Sequence, residues 1–189
     1  MNGITGLVLA GGMGRRMDSR DKGLVEFRGK PMASHVIERL APQVQSLVIN
    51  ANRNLDQYGA FGYTVISDEV SGFAGPLAGL HAGLARCSTP YIVTAPCDSP
   101  FLPLNLVAQL YEALQHNIAD LAVAKTGDQA QPVFALYSAA LLPSLTQFLE
   151  SGGRKIDAWY STHRVVEVAF SDESAFANIN TIADLQALQ

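Results

Sequence analysis

Seven short apolar runs recur along the chain: "ITGLVLA" (4–10), "SLVINAN" (46–52), "YTVISD" (63–68), "PYIVTAPCD" (90–98), "DLAVAK" (120–125), "QPVFALY" (131–137) and "RVVEVAF" (164–170). Most are apolar at every position, the pattern of strands buried on both faces. Between and after them lie stretches with leucine and alanine at helical spacing: 30–43, 75–87, 102–115, 138–151 and 181–189. Pro31 suits the first position of the first of these helices. Strands alternating with helices specify an α/β chain with a doubly wound, mostly parallel sheet covered on both sides. No internal repeat or linker composition interrupts residues 1–189, so a single domain is expected.

Bulk composition excludes several classes. With 48% hydrophobic and 16% charged residues the chain is globular and not disordered. A net charge of −4 argues against a nucleic-acid partner. Two cysteines, Cys87 and Cys97, do not make a disulfide framework at this length. No apolar run approaches the ~18 to 20 residues that span a bilayer, and the apolar run at 4–10 has no positive residue before it. A cytoplasmic protein without membrane contact is the expectation.

The first apolar run leads straight into "GGMGRRMDSRDKG" (11–23), which concentrates glycine, arginine and lysine. This loop is neither of the two common phosphate loops. A P-loop needs serine or threonine after its lysine, and here Gly23 follows Lys22. The dinucleotide fingerprint needs a third glycine where Met17 stands, and an acidic end to the second strand, which instead reaches Asn50. What remains is a loop whose glycines let backbone N–H groups approach phosphate oxygens, with Arg15, Arg16 and Lys22 supplying charge.

In an open parallel sheet ligands gather at the carboxyl ends of the strands. There the apolar runs give way in turn to Gly11 and Gly12, to Asn50, to Asp68 and to Asp98. Any one of these could be a turn or a cap. Four consecutive strands ending so define a site. Asp98 facing a basic loop fits a divalent cation, Mg²⁺, bridging carboxylate to phosphate. Asn50 can offer amide donor and acceptor to a base edge, and Asp68 can accept from guanine N–H groups or a ribose hydroxyl.

These motifs resemble the sugar-nucleotide type of nucleotidyltransferase. The combination of "LAGGMGRRM…DKG", "VINANRN", "GPLAGLHAGL", "APCDSPFLP", "QPVFALY" and "FANINT" is similar to the bacterial molybdenum cofactor guanylyltransferases. The resemblance implies a Rossmann-like nucleotidyltransferase fold and transfer of GMP from GTP to the terminal phosphate of molybdopterin, releasing pyrophosphate. It implies nucleotide contacts at Leu9, Ala10, Gly11, Gly12, Lys22, Asn50, Asp68 and Asp98, with Asp98 the Mg²⁺ ligand and Arg16 on phosphate. Gly75 and Gly79 match glycines near the acceptor, and Asn178 and Asn180 match asparagines that face the pterin. The catalytic set is then Arg16, Lys22 and Asp98. Asp18 departs from the pattern, standing where the family usually carries glycine; aspartate is among the few residues tolerated at positive φ. The implied setting is cytoplasmic cofactor biosynthesis, with room for transient contacts with molybdoenzymes or their chaperones.

An acceptor phosphate is already ionised near neutral pH, so such a reaction needs positioning and charge neutralisation, not a general base. Accordingly His35, His81, His116 and His163 are scattered at no metal-ligand spacing. Cys97 and Trp159 are expected in the core, and Arg154 and Lys155 are either an anion contact or a solvated helix start. Two alternatives stand beside guanylyl transfer: cytidylyl transfer to the same acceptor, and a domain that binds GTP without turnover.

Overall fold

In the computed structural model, which describes residues 2–10, 21–69 and 75–188, the apolar runs become strands whose side chains point alternately to opposite faces. Gly11, Gly12, Arg15, Arg16, Met17 and Asp18 lie outside the described residues. The elements in chain order are β1 (Ile4–Leu9), β2 (Glu26–Phe27), β3 (Lys30–Pro31), α1 (Met32–Leu40), β4 (Ser46–Asn50), α2 (Leu55–Gly59), β5 (Thr64–Ile66) and α3 (Pro76–Arg86). Then come β6 (Tyr91–Pro96), α4 (Leu106–His116), β7 (Leu121–Thr126), β8 (Gln129–Ser138), α5 (Leu142–Glu150), α6 (Ile156–Tyr160), β9 (Val165–Phe170) and α7 (Ile182–Leu188).

Seven strands form one sheet in the order β5-β4-β1-β6-β8-β7-β9, and β2 pairs with β3 in a separate small hairpin. Within the large sheet β8 runs antiparallel to both β6 and β7, and the other pairings are parallel. Alternation along the strands explains why both faces are covered. On β7, Leu121 and Val123 face one layer while Ala122 and Ala124 face the other. On the first face lie Leu77, Leu80 and Leu84 of α3, Leu145 and Leu149 of α5, and Trp159 of α6. On the second lie Ala33, Val36, Ile37 and Leu40 of α1, at the spacing of one helical face, with Leu106, Leu110 and Leu114 of α4. A third, smaller cluster joins Phe27 and Met32 to Ile179, tying the hairpin to the C-terminal segment. Among the described residues no helix is long and apolar enough to cross a membrane.

The sequence expectation of an α/β chain with a mostly parallel sheet holds, with corrections at element ends. Pro31 sits in β3, one residue ahead of α1, instead of at its first position. The helix expected from 102 begins at Leu106, and the stretch 139–141 is a 3-10 turn before α5. The hairpin β2–β3 and the five-residue helices α2 and α6 carry too few residues to show a period.

Candidate active site

β1 lies between β4 and β6, in register Leu9↔Asn50 and Leu9↔Pro96. All three run the same way, so the residues just past Leu9, Asn50 and Pro96 emerge along one edge of the sheet. The Ala10 N–H donates to the Asn50 carbonyl at 2.8 Å and the Cys97 N–H to the Leu9 carbonyl at 3.1 Å, carrying the pairing one step beyond the strands. Asp68 and Asp98, each two residues past a strand end, are thereby placed on the same side as Lys22.

Two clusters occupy this edge. In the first, Lys22 Nζ donates to Asp98 Oδ2 at 3.2 Å and to Asn180 Oδ1 at 2.5 Å. The side chains of Lys22 and Asp98 are 23% and 13% exposed, so the pair is sheltered but reachable from solvent. The segment 178–180 is laced to the end of β6: the Ile179 N–H donates to the Asp98 carbonyl at 2.9 Å, and the Ser99 hydroxyl, fully buried, donates to Asn178 Oδ1. Asp184 of α7 holds the same segment by accepting from the Asn180 and Thr181 N–H groups at 3.0 and 2.9 Å. The Asn180 amide, foremost among these donors, draws the Asp184 carboxyl below the usual carboxylate range. Both Asn178 and Asn180 have their side-chain oxygens engaged; Asn180 Nδ2 also donates to the Asn178 carbonyl at 3.5 Å, which leaves one of its two N–H groups to present.

The second cluster surrounds Asp68. Its Oδ1 accepts from Asn50 Nδ2 at 2.9 Å and its Oδ2 from Asn52 Nδ2 at 2.8 Å, while its own N–H donates to Asn52 Oδ1 at 2.9 Å. This corrects the expectation that Asn50 offers both sides of its amide to a base. Its nitrogen is engaged with Asp68 and, at 3.5 Å, with the Ile66 carbonyl, and the residue is 2% exposed. Asn50 lies under Asp68 and orients it, leaving the half-buried carboxylate as the group that faces outward. Asn52, which sequence reasoning does not single out, completes the clamp; its signal is the repeated asparagine of "NAN", two residues apart on one side of an extended segment.

Gly79, which the resemblance matches to a glycine near the acceptor, packs against this second cluster. A Cβ there would lie 2.4 Å from Asn50 Oδ1 and 2.6 Å from Leu9 Cδ2, so α3 approaches β1 and β4 more closely than any side chain permits. Gly75 precedes α3 at φ 62°, a left-handed conformation suited to glycine.

The other candidates are engaged in holding the fold. Arg154 Nη1 donates to the Leu149 and Gly153 carbonyls at 2.9 and 2.6 Å, closing the end of α5. Trp159 and Cys97 are buried as expected, and burial pushes the Cys97 thiol well up. His35 binds the Phe27 carbonyl, His81 the Thr146 hydroxyl and His163 the Ser144 hydroxyl. Among the described residues no group of three or more His, Cys, Asp or Glu side chains could hold a metal.

Against this geometry the comparisons with known proteins are decisive. The MobA-like NTP transferase domain matches residues 6–165. The chain belongs to this family. A molybdenum cofactor guanylyltransferase of Cupriavidus taiwanensis is 54% identical over 189 residues, covering 97% of this chain and 95% of that protein. One from Cupriavidus necator is 55% identical over 188 residues, covering 97% and 94%. Among solved structures, molybdopterin-guanine dinucleotide biosynthesis protein A from Archaeoglobus fulgidus superposes with a TM-score of 0.80 at 28% identity, covering 97% of this chain and 96% of that one. Like its family, the chain is a nucleotidyltransferase of the α/β type.

Proposed function

We propose that the protein transfers GMP from GTP to the terminal phosphate of molybdopterin, forming the guanine dinucleotide and pyrophosphate, in the cytoplasm. The observation that carries this reading is the meeting of Lys22, Asp98 and Asn180, side chains 76 and 158 residues apart in sequence, at the carboxyl edge of a parallel sheet. A cation meets there a carboxylate and the accepting amide oxygen of Asn180, from the segment matched to the acceptor, and a placed positive charge is what phosphoryl transfer between two anions requires. The name carried by the relatives, molybdenum cofactor guanylyltransferase, supports a guanine nucleotide as donor and the pterin of the cofactor as acceptor.

The acceptor phosphate oxygen attacks the α-phosphorus of GTP in line. A new P–O bond forms, the bridging bond to the β-phosphate breaks, and pyrophosphate leaves with the electron pair. Lys22 and, outside the described residues, Arg16 offset the charge on the phosphates. Asn178 and Asn180 donate to acceptor-rich groups of molybdopterin. Asp68, an acceptor-only carboxylate, takes the N1–H and N2–H₂ donors of guanine, with Gly11 and Gly12 against the phosphates and Gly75 on the acceptor side.

Asp98 fits a divalent cation, Mg²⁺ in our reading. It is one strand-end carboxylate, 13% exposed, and substrate phosphates and water would complete the coordination. When bound, such an ion neutralises charge on the transferring and leaving phosphates.

Base choice tests the proposal. Cytosine offers one donor, N4–H₂, beside the acceptor N3 where guanine offers two adjacent donors, so N3 would face the Asp68 carboxylate with no hydrogen between them. Molybdopterin-dependent pyrophosphate release should favour GTP over CTP by at least ~10²-fold in kcat/KM, and Asn50→Ala, which frees Asp68, should narrow that ratio. A better rate with CTP would overturn guanylyl transfer and leave nucleotidyl transfer standing.

A further inference from the structure

Lys22 is flanked by two residues that both rest on one tyrosine. Tyr58 of α2 is fully buried against the α1 and α4 side of the sheet, and a phenol buried there needs a partner for its hydroxyl. The partner is Asp21: the Tyr58 hydroxyl donates to Asp21 Oδ1 at 2.5 Å. Asn54, just ahead of α2, donates from Nδ2 to the other Asp21 oxygen at 3.0 Å, so α2 and the residue before it grip both oxygens of the carboxylate. On the far side of Lys22, a Cβ on Gly23 would lie 2.4 Å from the Tyr58 hydroxyl oxygen and 3.1 Å from Cys97 Sγ. Only a glycine lets the backbone pass over the phenol. Burial, then the nearby Cys97 thiol and Asp21, push the Tyr58 pKa up, so the phenol stays a donor.

We propose that Tyr58 is a positioning residue for Lys22: the Tyr58–Asp21 hydrogen bond and the seat of Gly23 on the ring fix the backbone from which Lys22 reaches Asp98 and Asn180. A lysine side chain has many rotamers, and anchoring its root on both sides narrows where the ammonium can sit. The anchor comes from the segment just after Asn50 and Asn52, so the base-side clamp and the phosphate-side lysine share one support. The sequence "DKG" is thereby accounted for residue by residue: a carboxylate to be held, a cation to be aimed and a glycine to fit.

This inference rests on the reading of Lys22 as a catalytic cation, and the test separates the two. Tyr58→Phe keeps the ring and removes the hydroxyl. It should melt within a few degrees of the native protein, lower kcat by about ten- to a hundredfold, and change the KM for GTP by less than about threefold. In a Lys22→Ala background the same substitution should add less than about a twofold further loss, because there is no ammonium left to aim. Asp21→Ala removes the bond from its other, half-buried end and should reproduce the kcat loss; it decides the matter if Tyr58→Phe does not fold. A Tyr58→Phe or Asp21→Ala enzyme with kcat within threefold of native, or a loss that adds in full to Lys22→Ala, would overturn the positioning role. If Lys22→Ala itself turns over at the native rate, the reading of the site fails first.

Discussion

Asp98 and Lys22 are visible in the sequence because each stands at a predictable place, one as the polar residue at the end of an apolar run and one among the cations of a glycine-rich loop. The structure adds that they meet, at 3.2 Å, and that Asn180 joins them. Removing Asp98 should therefore cost catalysis and not folding, since it lies two residues past the end of β6 with its side chain reaching solvent. Asp98→Ala is expected to keep its native circular dichroism and to lose at least ~10²-fold in kcat; native activity should also vanish in EDTA. Activity within threefold of native, or insensitivity to EDTA, would remove Asp98 from the chemistry. Lys22→Ala should likewise slow transfer. Lys125→Ala should not, because Lys125 is engaged with Glu167 across β7 and β9 at 2.8 Å and belongs to no part of the site. Equal losses from both would mean that general charge, and not a placed cation, is at work. Asn52, Tyr58 and Ser99 are not readable in the same way. Each acts by holding another side chain, and which side chain lies opposite is a property of the folded loops and not of local composition.

At the scale of elements, α3 shows how packing reaches the site. Gly79 and Gly83 are one turn apart on its inner face, and both are places where the helix touches the sheet. The consequences of adding a methyl group differ because the neighbours differ. At Gly79 the new carbon would meet Asn50 Oδ1, so the amide that orients Asp68 has to move. At Gly83 it would lie 2.6 Å from Leu7 Cδ2 and 2.9 Å from Ile92 Cδ1, which are core contacts alone. Gly83→Ala is expected to destabilise by about 1–3 kcal/mol, with the GTP to CTP preference unchanged. Gly79→Ala should reduce that preference several-fold as well as lowering the melting temperature. Thermal melts paired with both nucleotide assays distinguish the two. A glycine–leucine–alanine helix is readable from its spacing, as are six of the strands as parallel partners in outline. The antiparallel direction of β8 is not. Its residues are as apolar as those of its neighbours, and direction is fixed by the two-residue connection after β7, Gly127–Asp128, with Gly127 at φ 52°. The elements with no sequence signal, α2 and α6 and the hairpin β2–β3, owe their form to the tertiary contacts that cover them, such as Tyr58 and Trp159 packing inward.

For the molecule as a whole the question is whether two helical layers on one sheet behave as one unit. Adjacent residues on β7 and β8 point into opposite layers: Val123 beside Ala122, Tyr137 beside Leu136. Loosening either layer therefore disturbs the strands that the other layer packs against, and the two cores should melt together. The chain contains a single tryptophan, Trp159, which is 1% exposed in the α3, α5 and α6 layer. Leu110 of α4 is fully buried in the opposite layer and takes no part in the site. Leu110→Ala should cost about 2–5 kcal/mol through lost burial and the cavity left behind, which for a domain of this size is a fall of roughly 5–20 °C in melting temperature. Because the layers share the sheet, Trp159 fluorescence should report that fall in full and coincide with the loss of far-ultraviolet circular dichroism. If instead the fluorescence transition stays at the native temperature while helicity is lost in two steps, the layers unfold separately and the single-domain expectation from the sequence is wrong.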